Sequence, residues 1–180
     1  MAVGVVGAGA WGTTLAALFA INNDVILYVR DAVQCIEIES TRENMKYAPG
    51  FKLDPKIKVT NDPIKLSDSE LIVFAVPSTY FREVLKEFSF LDSSIPFVSV
   101  TKGLEKDTHM RMSEVILDVL TEKTPDLIAV ICGPNLANEI MENKPAATVV
   151  ASSNEELAKN IQTKLVSKRF RVYTSNDIIG

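Results

Sequence analysis

The segment Val3-Gly4-Val5-Val6-Gly7-Ala8-Gly9-Ala10-Trp11-Gly12-Thr13-Thr14-Leu15-Ala16 decides the fold. Its first residues read as a short buried strand and its last as the start of an apolar helix. Between them lies G-x-G-x-x-G, with one task for each glycine. Gly7 permits the tight turn. Gly9 lacks the side chain that would keep a pyrophosphate off the backbone, and Gly12 lets the helix pack closely on the strand. The first amides of a helix have no partner within it, and the helix dipole favours negative charge there. Strand, glycine turn and helix in this order therefore predict a dinucleotide-binding turn. A merely tight strand-to-helix turn would not require three glycines at this spacing.

The same grammar repeats along the chain. Apolar runs at Val25–Val29, Ile57–Thr60, Leu71–Val76, Phe97–Val100, Leu127–Cys132, Ala146–Ala151 and Phe170–Tyr173 read as further strands. Amphipathic segments separate them. A helix is expected over residues 32–45, with Val33, Ile36 and Ile38 as its apolar positions. Asp62-Pro63 marks a short helix start. Phe81, Val84, Leu85 and Phe88 form a core stripe on a helix for which Ser78 is the expected cap. A helix from about Met110 to Glu122 buries Met112, Val115 and Ile116. Gly133-Pro134-Asn135 opens a short helix through about Met141. Ser153 and Glu156 have capping-box spacing ahead of Leu157, Ala158, Ile161 and Leu165. Strands apolar throughout, alternating with helices, predict an α/β fold: a mainly parallel, doubly wound sheet of about eight strands, covered on both faces.

Composition narrows the function. The chain has 180 residues, is 47% apolar and carries a net charge of −4. It has ample apolar content for a core, and no global basic field invites nucleic acid or an anionic membrane. No apolar run reaches the length of a membrane span, and no leader segment is visible. Cys35 and Cys132 lack metal-type spacing and read as reduced thiols, with a cytoplasmic setting expected. His109, the only histidine, has no recognisable acid or metal-ligand partner and reads as solvated or capping; no metal is expected.

The unusual residues fall where strands end. Gly7–Gly12, Arg30, Pro77-Ser78, Lys102-Gly103 and Gly133-Pro134-Asn135 each follow a strand, and in an open α/β sheet such ends line one crevice. Tyr80 lies off its helix's core stripe, near the strand end, and joins Pro77 as a candidate cofactor contact. Arg30, followed by Asp31, suits the 2′-phosphate of NADP, while NAD remains open because Arg30 can instead stack on adenine or face solvent. Lys102 can be simply solvated and Asn135 can simply cap its helix.

These residues also resemble a family. The glycine segment is similar to the opening of the NAD(P)-dependent glycerol-3-phosphate dehydrogenases of bacterial type. Asn44–Gly50, Val76-Pro77-Ser78, Thr101-Lys102-Gly103-Leu104, Cys132–Glu139 and Phe170–Tyr173 follow in that family's order and spacing. The resemblance implies a Rossmann-type fold and reversible hydride transfer between NAD(P)H and dihydroxyacetone phosphate. The product is sn-glycerol 3-phosphate, a phospholipid precursor. By position it places Gly7, Gly9, Ala10, Trp11, Gly12, Arg30 and Ala137 at the cofactor. Lys102 would meet both cofactor and substrate, acting catalytically by polarising the carbonyl. Gly133 and Asn135 would lie along the substrate. Family members continue into a helical domain that holds the general-acid lysine and the phosphate grip, and the intact enzyme can be a homodimer. Residues 1–180 then correspond to the cofactor-binding domain, expected to fold without turning over. Two other readings stay open. One is a ketopantoate reductase-like or 6-phosphogluconate dehydrogenase-like enzyme, and the other is a non-catalytic NAD(P)-binding module.

Overall fold

A computed structural model describes residues 2–179. The chain runs β1 (Ala2–Val6), α1 (Ala10–Ala20), β2 (Val25–Tyr28), α2 (Ala32–Thr41), β3 (Ile57–Thr60), β4 (Ser69–Phe74), α3 (Ser78–Glu87), β5 (Phe97–Ser99), α4 (Met112–Val119), β6 (Ile128–Cys132), α5 (Ala137–Met141), β7 (Ala146–Ala151), α6 (Glu155–Leu165) and β8 (Phe170–Ser175). A 3-10 turn, Pro63–Asp68, leads into β4 and is capped by Asp62, as expected from the Asp-Pro pair. The strands form one sheet in the order β3-β2-β1-β4-β5-β6-β7-β8. This is the doubly wound arrangement, with its switch point between β1 and β4.

The first six strands are parallel; β7 pairs antiparallel with β6, and β8 parallel with β7. The reversal has a local cause. The link from β6 to β7 carries only the five-residue α5 and stays on the edge where β6 ends, so β7 must start there and run back. Every predicted site residue therefore follows one of the six parallel strands or opens the helix after it. All of them reach the same edge of the sheet.

Two cores sandwich the sheet. On one face α1, α2, α5 and α6 bury Leu15, Phe19, Ile38, Ile140, Ile161 and Leu165 against β1, β2, β6, β7 and β8. On the other, α3 and α4 bury Phe81, Phe88, Val115 and Ile116 against Phe74 and Phe97. Phe74 is the centre of this second core, with ring centroids 5.9 Å from Phe81, 5.8 Å from Phe88 and 4.9 Å from Phe97.

Three local expectations are corrected. Helix α2 ends at Thr41, where Arg42 adopts a left-handed conformation (φ 56°). It buries Cys35 and Ile38, while Val33 and Ile36 are exposed. Ser78 is the first residue of α3 rather than its cap, and that helix has no side-chain cap. The cap of α6 is Asn154, whose Oδ1 accepts from the amides of Glu156 and Leu157, and not Ser153, whose hydroxyl donates to Pro125 O. His109 is exposed and left-handed (φ 57°), in keeping with a solvated residue. Both cysteines are free. Among the described residues no helix is long and apolar enough to cross a membrane, and no cluster of metal-ligating side chains is present.

Candidate functional site

The glycine turn is fixed by backbone contacts that admit no side chain at two of its three glycines. Gly7 has φ +108°, and a Cβ on it would fall 2.6 Å from Ala75 O. A Cβ on Gly12 would fall 1.9 Å from Gly7 O, so α1 can lie this close to the turn only with glycine there. Gly9 differs. It is extended (φ −73°, ψ 179°), as any residue can be, and a Cβ built on it would meet nothing within 4 Å. Nothing in the protein requires glycine at position 9. The space beside it is left open to whatever approaches the turn from outside.

What faces Gly9 is the start of α1. This eleven-residue helix has no acidic residue in its first turn, so its positive end is uncompensated. A buried brace holds the turn from behind. Asn44, fully enclosed in the long link after α2, donates through Nδ2 to Ala8 O and to Thr13 Oγ1, both at 2.8 Å. Its Oδ1 accepts from Gln34 Nε2 at 3.2 Å. The sequence places Asn44 at the head of the Asn44–Gly50 segment but gives it no role at the turn. A lone asparagine some thirty positions beyond the turn carries no local sign that it reaches back.

Three cavities share walls along the edge. The first, about 620 Å³, is lined by Gly7, Gly9, Arg30, Lys46, Pro77 and Tyr80 among others. The second, about 510 Å³, takes Gly9 and Pro77 as common walls and adds Ala10, Trp11, Lys102 and Ala137. The third, about 970 Å³, shares Trp11, Lys102 and Asn135 with the second and adds Gly133, Val149 and Tyr173. Of the twelve residues singled out from the sequence, only Gly12 lines none of these. It is buried and acts by letting the helix close on the strand.

The side chains differ in how far they are committed. Asp31 is used locally: its Oδ1 caps α2 by accepting from Gln34 N at 2.8 Å. Arg30 is exposed in the wall of the first cavity. Val33, exposed and apolar, lines the same cavity, as does Glu37. Asn135 is not a helix cap. It donates from Nδ2 to Ala147 O at 2.8 Å, and Leu136 occupies the cap position of α5. Lys102 is exposed, and no hydrogen bond or ion pair holds its ammonium among the described residues.

The arrangement provides an anion-accepting helix end between two cavities, with a free cation at the far one. Comparisons with known proteins give the family. The family model for the amino-terminal part of NAD-dependent glycerol-3-phosphate dehydrogenase matches residues 2–158. A Corynebacterium kroppenstedtii protein, glycerol-3-phosphate dehydrogenase [NAD(P)+], is 43% identical over all of this chain, which covers 55% of that relative. A Psychrobacter cryohalolentis protein of the same description is also 43% identical, with 98% of this chain and 41% of the relative covered. The solved glycerol-3-phosphate dehydrogenase of Coxiella burnetii superposes with a TM-score of 0.92 at 32% identity, over 99% of this chain and 55% of that one. A ketopantoate reductase from Ralstonia eutropha superposes with a TM-score of 0.73 at 19% identity, a likeness of fold alone. The chain spans about half the length of the curated relatives it matches. By the family model and by these relatives, the chain belongs to the NAD-dependent glycerol-3-phosphate dehydrogenase family.

Proposed function

We propose that these residues are the cofactor-binding half of an enzyme that interconverts dihydroxyacetone phosphate and sn-glycerol 3-phosphate with NAD(P). The observation that carries this is the open Gly9, flanked by two cavities at a helix end. The residues present fit such a cofactor. Gly9 leaves room for the pyrophosphate, and the first amides of α1 are free to donate to it. Arg30, Tyr80 and Val33 would hold the adenosine end in the first cavity. Ala10, Trp11, Pro77 and Ala137 would hold the nicotinamide end in the second. When bound, the cofactor supplies the hydride.

The chain's own work is to hold, orient and polarise. Lys102, unpaired among the described residues, is free to place its charge at the carbonyl oxygen, where negative charge grows during reduction. Asn135 is anchored through its amide nitrogen, which leaves its carbonyl oxygen to face a hydroxyl of the substrate beside Gly133. On this reading the general acid and the phosphate grip are supplied by the rest of the enzyme. NADP is the preferred form: Arg30 and Lys46 share the wall where a 2′-phosphate would sit, and Asp31 is occupied as a cap. Glu37 in that wall counts against it. The test is calorimetric titration of NADPH and NADH into the 180-residue chain, with turnover assayed in a full-length enzyme carrying it. Absence of binding by either cofactor would refute the proposal.

A further inference from the structure

Lys102 opens a loop, residues 101–111, that is fastened on both sides of it to a single neighbouring unit. On one side Thr101 Oγ1 donates to Val76 O at 2.7 Å. On the other, three residues beyond Lys102, the Glu105 carboxylate receives a two-bond fork from Arg82 on α3. Nε reaches Oε1 at 2.8 Å, and Nη2 reaches Oε2 at 2.9 Å. Thr108 Oγ1 adds a bond to Oε2 at 2.5 Å. The loop folds around this carboxylate. Gly103 is left-handed (φ +87°), Leu104 bridges to Arg111, Glu105 N donates to Met110 O and His109 N donates to Glu105 O. The remaining Arg82 nitrogen, Nη1, pairs with Asp118 on α4. The Glu105 side chain is 15% exposed and that of Asp118 48%. The bidentate pair is thus the enclosed one, and its planar fork fixes geometry as well as distance.

The contrast with Lys102 gives this pair a consequence. A free lysine on a four-carbon stem has no position of its own; it inherits one from its backbone. Both fastenings of that backbone lead to the segment from Val76 through the first turns of α3. The same segment supplies Pro77 and Tyr80 to the cofactor cavities. Neither Arg82 nor Glu105 lines any of the three cavities. We propose that the Arg82–Glu105 pair positions Lys102, registering its loop to the same helix that walls the cofactor groove. This rests on the functional reading above, in which Lys102 polarises the substrate carbonyl.

The experiment uses a full-length dehydrogenase carrying this amino-terminal half and compares Glu105→Gln, Asp118→Asn and Lys102→Met. Glu105→Gln should lower kcat by up to ~10²-fold, the scale of an ångström misplacement. Its KM for NADPH should stay near wild type, and in the 180-residue chain it should bind NADPH as wild type does. Asp118→Asn, which leaves the fork to Glu105 in place, should keep its kcat. If Glu105→Gln turns over like wild type while Lys102→Met is inactive, the positioning role is overturned and that of Lys102 stands. If Lys102→Met turns over normally, the functional reading of Lys102 falls, and the positioning role falls with it. An equal kcat loss in Asp118→Asn, or a loss in Glu105→Gln matched by weaker NADPH binding and a lower melting temperature, would reduce the pair to general packing and also overturn it.

Discussion

The glycine turn and the loop that carries Lys102 both follow parallel strands into one crevice, yet they are held in opposite ways. The turn is packed backbone against backbone, with Gly7 and Gly12 fitted to within a side chain's width and Asn44 buried behind them. It exposes no charged group of its own; what it offers an anion is the free amides at the start of α1. The Lys102 loop offers an exposed side chain to an open cavity of about 970 Å³ whose far wall is formed by β7, β8 and the residues beyond. Holding a phosphate needs fixed dipoles, which a folded turn provides by itself. Polarising a carbonyl needs a cation and a substrate pinned in register, and pinning requires contacts from more than one side. On the proposed function, the first region is a finished site and the second is half of one.

The largest expected consequence concerns turnover. On the proposed function, which places the general acid and phosphate grip elsewhere, the 180-residue chain should reduce dihydroxyacetone phosphate at least about 10⁴-fold more slowly than a full-length enzyme. NADPH oxidation with excess substrate measures this, beside a far-UV melt showing a cooperative fold. Turnover at full-length rates would place the catalytic acid within this sequence and erase the contrast between the regions.

Next come substitutions in the packed region. Gly12→Ala drives a methyl into Gly7 O. It should cost at least ~1–3 kcal/mol of stability, because a backbone oxygen cannot turn aside as a side chain can. Asn44→Ala takes the donor from Thr13 Oγ1 and leaves Ala8 O only the 3.4 Å bond from Gln34 Nε2, and should cost on the order of 1–3 kcal/mol. Denaturant titration reads both, and wild-type stability in either variant would mean that the turn is softer than its packing implies. Arg30→Ala should weaken NADPH by on the order of 1.5–3 kcal/mol while changing NADH much less. An equal loss for both cofactors would point to adenine stacking instead of 2′-phosphate recognition.

The last expected effect lies away from the crevice and serves as a control. Lys123, after α4, is 6% exposed, donates to Ser93 O and Ile95 O and sits 3.9 Å from the Phe97 ring centroid. Burial pushes its ammonium from 10.5 down to about 8, with Asp92 opposing. A lowered folded value means that charged Lys123 costs stability below about pH 8. That cost is relieved as pH rises toward 10.5. Wild type should therefore gain stability relative to Lys123→Met across that window, with cofactor affinity unmoved. A pH-independent difference in melting temperature would contradict the assignment.

Much of the site was legible because its signals are local. Glycine spacing, strand ends and Asp62-Pro63 each depend on neighbours in sequence. What escaped depends on distance or on register. Asn44 acts on Thr13 across the fold. Ser153 and Asn154 sit one residue apart ahead of α6, and only geometry tells which oxygen reaches the two amides. Val33 is one of the apolar positions expected on α2, yet it is exposed and lines the first cavity, since an apolar position can serve a ligand wall as well as an interior. The reversal of β7 follows from the shortness of α5, which sequence patterning does not reveal.

The account rests on Gly9, the one glycine of the turn that the protein itself does not require. Gly9→Val adds a branched side chain at a position where a Cβ meets no atom within 4 Å beyond its chain neighbours. The decisive measurement is NADPH titrated by calorimetry into wild type and Gly9→Val, each checked by thermal melt. The predicted result is a melt like that of wild type, as for a surface substitution within about 0.5 kcal/mol, together with loss of cofactor binding. Equal affinity in the two proteins would take the turn out of the site and contradict the account.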